Sequence, residues 1–244
     1  MLKKILSILA VALLIGYIVF AIVSYTGISS NDKCKGVEVV IKDSMDYRFV
    51  SAAEIQNILK QEHIKLIGKR LKDINYQKIE ATVASHKLIS HAECYSSPSG
   101  KVYINVWQHV PIIRIMSASG NYYLDQDGKK TGLSLNSAAD VVVASGAIND
   151  SLTLSRLYQM ALLLRNDSFW DSQIEQIDVQ PGGEWILIPR VGDYEILLGY
   201  PYDIEEKLHC LRLFYQNGLP KVGWERYSTI NLKFKNQIVC TKKK

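Results

Sequence analysis

The sequence predicts an α+β protein with a single N-terminal transmembrane helix, a small β-α-α-β-β domain, and a mostly antiparallel β-domain with flanking helices. Three observations carry that prediction. Residues 5–25 run twenty-one long without a charge or a proline. Two clean helix starts, at Ser51 and Asn75, stand between strand-like runs. Beyond Pro111, short β-branched runs separated by turn residues prevail, interrupted by two helical segments.

The apolar stretch begins at Ile5 and ends at Tyr25. At 1.5 Å per residue its helix is roughly 31 Å long, the thickness of a bilayer's hydrocarbon core. Its only polar side chains are Ser7, Ser24, Tyr17 and Tyr25. Serines bond back to their own helix carbonyls, and tyrosines suit the interface. A cleaved signal peptide shares the Lys3-Lys4 start and has a small-residue site at Ser24-Tyr25-Thr26, but its apolar core usually runs only about 7–15 residues. A buried soluble helix is disfavoured, because every face is apolar at the very N-terminus. Lys33 and Lys35 nearly balance Lys3 and Lys4, so flanking charge alone does not orient the span. The short head 1–4 and the large following domain favour a cytoplasmic N-terminus and an extracytoplasmic remainder.

Composition is that of a globular chain, with 48% hydrophobic and 22% charged residues. The formal net charge of +5 is spread along the chain except at Lys242-Lys243-Lys244. A basic run with interleaved aromatics is absent, which argues against nucleic acid. Cys34, Cys94, Cys210 and Cys240 form no C-x-x-C pair; three disulfide pairings or free thiols fit equally. His86, His91 and Cys94 lack zinc-ligand spacing, so neither metal nor cofactor is expected.

After a polar linker at 26–36, the β-branched run Val37-Glu38-Val39-Val40-Ile41 predicts a strand. Ser51 and Glu54 have capping-box spacing, with Val50 and Ile55 at the staple positions, and Ile55, Ile58 and Leu59 repeat at helical spacing. Asn75 caps a second helix between Ile74 and Ile79. Residues 89–95, the turn Ser97-Pro98-Ser99-Gly100 and the alternating run 101–109 complete a domain spanning 37–110. The second domain, 111–241, should hold strands at 112–116, 121–124, 141–143, 174–179, 184–189, 193–199, 229–234 and 238–241. Helices are expected at 151–164 and after Asp203, which with Glu206 forms a box; Leu208, Leu211 and Phe214 should bury, and Gly218 should stop the helix.

Catalytic signatures are missing. No G-x-S-x-G, H-E-x-x-H or phosphate-cradling glycine run occurs, and the five histidines have no partner visible in sequence. Asp125-Gln126-Asp127-Gly128 lacks the downstream acids of a calcium loop and reads as a turn. The chain is therefore expected not to be an enzyme.

The order of span, small α+β domain and β-domain resembles the FtsQ/DivIB family of bitopic bacterial cell-division proteins. Phe49-Val50-Ser51-Ala52-Ala53-Glu54-Ile55 resembles the start of the first helix in that family's membrane-proximal POTRA domain. Trp107-Gln108-His109-Val110-Pro111-Ile112-Ile113-Arg114, with Tyr123-Leu124-Asp125-Gln126-Asp127-Gly128, resembles its passage into the β-domain. Ile230-Asn231-Leu232-Lys233-Phe234 is similar to an Ile-Asp-Leu-Arg-Tyr strand but departs from it at Asn231, Lys233 and Phe234. Lysine lacks the bidentate fork and phenylalanine the phenol.

The resemblance implies a scaffold in the inner membrane at the division septum. Its last strands would bind an FtsB/DivIC-like partner paired with an FtsL-like one, with Lys233, Phe234, Asn236, Ile238 and Cys240 as the contact stretch. An edge strand offering unpaired backbone groups supplies a physical route to that binding. Competing readings are a POTRA subunit of outer-membrane protein assembly or transport, and a membrane-tethered hydrolase. The first normally has a barrel after its POTRA units, and the helical segments here suit a barrel poorly.

Overall fold

The computed structural model describes residues 11–21, 32–43 and 48–243. Residues 11–21 are helical, with 11–20 exposed and Ala21 partly buried, and the rest of the stretch 5–25 lies outside the described residues. No helix among the described residues is long and apolar enough to cross a membrane. The remainder forms two compact units, one built on 51–107 with the strand before it, the other on 108–243 with 48–50.

In the first unit the order is β1 (Gly36–Ile41), α1 (Ala52–Gln61), a 3-10 turn (Leu71–Asp73), α2 (Tyr76–Ala84), β2 (Ile89–Ser96) and β3 (Lys101–Gln108). The sheet order is β1-β3-β2, with β1 parallel to β3 and Val39 opposite Ile104. A parallel neighbour needs a long crossover, and here both helices lie in that connection. Both helix starts follow from local chemistry. Ser51 Oγ accepts from Glu54 N at 3.3 Å, while Ser51 N donates to the Glu54 carboxylate at 2.7 Å. Asn75 Oδ1 accepts from Lys78 N at 2.9 Å. Ile55, Leu59, Ile79 and Val83 are buried, as are Val102, Ile104 and Val106 of β3. The opposite sheet face is aromatic and polar: Tyr95 stacks on Tyr103 at 5.5 Å, and His91 tilts against Trp107 at 5.1 Å.

The second unit is built on β4 (Pro111–Ser117), β5 (Gly120–Asp125), β6 (Lys130–Thr131), β7 (Val142–Gly146), β8 (Ile174–Val179), β9 (Trp185–Pro189), β10 (Glu195–Gly199), β11 (Tyr227–Asn231) and β12 (Val239–Lys242). They form one open sheet in the order β12-β11-β10-β9-β8-β7-β4-β5-β6. Five of its eight pairings are antiparallel; β4–β7, β7–β8 and β10–β11 are parallel. Parallel neighbours again demand crossovers. Helix α3 (Ser151–Arg165) with α4 (Ser168–Gln173) connects β7 to β8, and α5 (Ile204–Asn217) with α6 (Leu219–Val222) connects β10 to β11. Strand residues Ile113, Ile115, Ala144, Ile177, Leu187, Ile196 and Ile230 share one core with Leu157, Met160, Leu164, Leu208, Leu211 and Tyr215 of these helices.

Several expectations are corrected. Asp203 stands before α5 but at φ +52°, with no side-chain cap bond, so no capping box forms with Glu206. Glu205 and Glu206 in the first turn complement the helix dipole instead. Phe214 is half-buried, and Tyr215 fills the core beside it. The strand expected at 229–234 ends at Asn231, whose Oδ1 accepts from Lys233 N at 2.9 Å and turns the chain away. Strand β6 and helices α4 and α6 carry no periodic signal long enough to read. All four cysteines are free. Burial pushes the Cys94 thiol up to about 12, with Glu80 adding to it.

Candidate partner-binding site

Strand β12 is the last in the sheet order, and among the described residues no strand pairs with its outer side. On its inner side Tyr227 faces Lys242, Thr229 faces Thr241, Ile230 faces Cys240 and Asn231 faces Val239. The hydroxyls of Thr229 and Thr241 meet at 2.8 Å, fixing the register on the outer sheet face. Successive residues of an antiparallel strand point their N–H and C=O groups to opposite sides, so half of β12's backbone groups face outward, where no strand among the described residues pairs with them.

The loop before β12 shapes its approach. Leu232 is buried and donates its N–H to Leu197 O at 2.9 Å. Asn236 adopts φ +59°, a left-handed conformation that asparagine tolerates. A cleft of about 250 Å³ opens here, lined by Tyr200, Tyr202, Lys207, Cys210, Phe234 and Ile238 among others. Lys207 Nζ donates to Leu198 O and Tyr200 O, each at 2.9 Å, which holds the turn after β10. Burial lowers the pKa of this ammonium below the usual lysine value, partly offset by Asp203. Three of the lining side chains are apolar and exposed, Tyr200 at 52%, Tyr202 at 58% and Phe234 at 49%, and Val239 on β12 is exposed at 45%.

The five residues expected to make contact divide in the structure. Phe234 is open to solvent and Asn236 sits exposed in the turn. Lys233 pairs with the Glu184 carboxylate, and its stem crosses Gly199. Ile238 and Cys240 pack partly buried against the core, and burial raises the Cys240 thiol pKa. Sequence reasoning passed over Val239, Tyr200 and Tyr202. The period-2 rule gave a signal for the first: if Ile238 and Cys240 point inward, Val239 points out. Tyr200-Pro201-Tyr202, two aromatics around a proline directly after Gly199, marked the other two.

Other polar clusters serve the fold. His109 Nδ1 donates to Asp125 Oδ2 at 2.6 Å, while Asp125 Oδ1 accepts from Asp127 N at 3.0 Å and Lys129 N at 2.7 Å. That buried carboxylate thereby organises the Asp125–Gly128 turn. Ser145 Oγ donates to Asp178 Oδ1 at 2.7 Å and accepts from Gln176 Nε2 at 2.8 Å. Among the described residues, no group of three or more His, Cys, Asp or Glu could hold a metal ion. The arrangement around β12 is suited to main-chain pairing beside an apolar rim.

Comparison with known proteins agrees with this architecture. Residues 32–107 match the family described as a POTRA-like domain. Residues 110–241, more than half of the chain, match the family described as FtsQ/DivIB, C-terminal related. The cell division protein FtsQ of Rhodothermus marinus is 29% identical over 184 residues, covering 70% of this chain and 67% of that relative. This chain belongs to the FtsQ/DivIB family, as a divergent member.

Proposed function

We propose that the chain is a non-enzymatic, single-pass membrane scaffold of the bacterial division machinery. In this reading the segment 5–25 anchors it in the inner membrane with both folded units outside the cytoplasm, and it acts at the septum. Its β-domain captures an FtsB/DivIC-like protein, paired with an FtsL-like one, by accepting a partner strand on β12. The outer edge of β12, which no strand among the described residues covers, with exposed Val239 on the strand and exposed Phe234 in the loop before it, is the observation that carries the proposal. Main-chain pairing would supply affinity, and alternate partner side chains would enter the cleft and set specificity. A partner with its own span meets the site at raised effective concentration in the membrane plane.

The test is co-purification of a DivIC-like partner from membranes with Phe234→Ala plus Val239→Glu. Both side chains are exposed, so the variant's unfolding midpoint should stay close to that of the parent. Partner capture should fall at least about tenfold, the loss of roughly 1.4 kcal/mol. Capture at the parental level would overturn the assignment.

A further inference from the structure

The net charge that looks spread along the sequence gathers at one end of the first unit. Residues 32–35 and 60–73 hold seven Lys or Arg against three Asp or Glu, a net +4 of the chain's formal +5. Backbone bonds bring the two segments together. Leu71 N donates to Asp32 O, Cys34 N to Lys69 O and Gly68 N to Cys34 O, each at 2.8 Å, and Lys33 bridges Arg70 in antiparallel fashion. Arg70 Nε is engaged by Asp73 at 2.7 Å. Lys33, Lys35, Lys65, Lys69 and Lys72 are exposed.

One apolar side chain stands among these cations. Lys69 N donates to Leu66 O at 3.0 Å, closing a turn with Ile67 and Gly68 at its tip. Gly68 takes φ +83°, the left-handed value required at the third position of a type II turn, and a Cβ there would meet open space. Leu66 and Leu71 are buried and root the loop, while Ile67 is turned outward and 72% exposed. An isolated exposed isoleucine is unremarkable by itself. Here it crowns a turn ringed by lysines, hydrogen-bonded to Asp32 and Cys34 near the end of the linker. Tyr25 and Asp32 stand seven positions apart in sequence, a reach of at most roughly 25 Å.

We infer that this turn is a membrane-docking point: Ile67 enters the interfacial layer of an anionic phospholipid bilayer while the surrounding lysines meet its headgroups. The inference rests on the single-span reading above, which places the turn close to a bilayer surface. Basic side chains each gain roughly fivefold in partitioning near such a surface, and an apolar residue adds burial that charge alone does not supply. Docking would fix the first unit against the bilayer at a point other than the span.

The test uses the full chain reconstituted in vesicles, with a fluorophore on Ile67→Cys and brominated lipid as quencher; the parent chain, labelled in parallel, gives the thiol background. Vesicles of phosphatidylcholine with about 30% phosphatidylglycerol should quench the label, and pure phosphatidylcholine should not. Lys65→Gln plus Lys69→Gln should lower the docking equilibrium roughly twenty-fivefold, at about fivefold per lysine. A label that stays in water in both vesicles overturns the inference. So does equal quenching in both, or shielding that needs an added protein partner. Flotation with phosphatidylcholine vesicles after an alkaline carbonate wash reads the span separately. A chain that fails to float overturns the span reading alone, and its quenching by anionic vesicles still decides the turn.

Discussion

Lys233 crosses Gly199: its Cγ lies 2.9 Å from where a Cβ on Gly199 would stand, and its ammonium reaches the Glu184 carboxylate. Gly199 holds φ +75° at the end of β10. The glycine thus permits both the backbone conformation and the close passage of the lysine stem, which seats the loop before β12. Gly199→Ala should cost about 1–2 kcal/mol from the left-handed backbone alone. Displacement of Lys233 should weaken partner capture as well. Urea unfolding and partner pull-down on the same variant check both effects.

Lys233→Ala should behave differently. Its ion pair is about one-third exposed on each side, and such pairs contribute at most about 1 kcal/mol. A small change in unfolding free energy, with capture reduced less than by Phe234→Ala, is the expected result. A larger capture defect than Phe234→Ala would instead make Lys233 a direct partner contact.

Neighbouring residues at the start of β12 should separate core from contact. Ile238 packs against the core and Val239 is exposed. Ile238→Glu forces a carboxylate into a partly apolar site and should lower stability by about 1–3 kcal/mol. Val239→Glu should leave stability within about 0.5 kcal/mol while reducing capture. Thermal unfolding paired with pull-down distinguishes them; equal destabilisation would contradict the inward and outward assignment.

The buried pair Tyr194 and Tyr215, joined at 2.8 Å, should make the β-domain alkali-sensitive. Burial raises both phenol pKa values, and the hydrogen bond from Tyr194 raises that of Tyr215 further while partly offsetting the rise at Tyr194. In the unfolded chain they ionise near the ordinary value of about 10. Above that pH the unfolded state binds fewer protons than the folded one, so stability falls as pH rises, by up to about 1.4 kcal/mol per pH unit for each phenol. Below about pH 9 the pair contributes no slope. Urea midpoints between pH 8 and 11 should show the decline, and Tyr215→Phe should flatten it; an unchanged slope would contradict this.

Features decided within four or five residues were legible in the sequence. The Ser51–Glu54 box and the Asn75 cap depend on side chains reaching neighbouring amides, and both occur. The approach to α5 shows the limit. Asp203 and Glu206 have the spacing of a box, but the Tyr200–Tyr202 turn, held by Lys207, delivers the backbone at φ +52°. That Lys207 bond spans the turn and is invisible to spacing. At β11 the alternation Ile230, Leu232, Phe234 reads as one strand, yet Asn231 closes a side-chain turn onto Lys233 and ends it. The inward packing of Ile238 and Cys240 is a contact with core residues distant in sequence, which strand-pairing patterns do not encode.

Hydrogen exchange at the amides of Val239, Cys240, Thr241 and Lys242, with and without the DivIC-like partner, addresses the central proposal most directly. If the partner adds a strand to β12, the outward-facing amides of this segment should slow at least about tenfold on binding, in an alternating pattern along the strand. A complex that forms while all four amides exchange at their free rates would contradict strand addition at this edge.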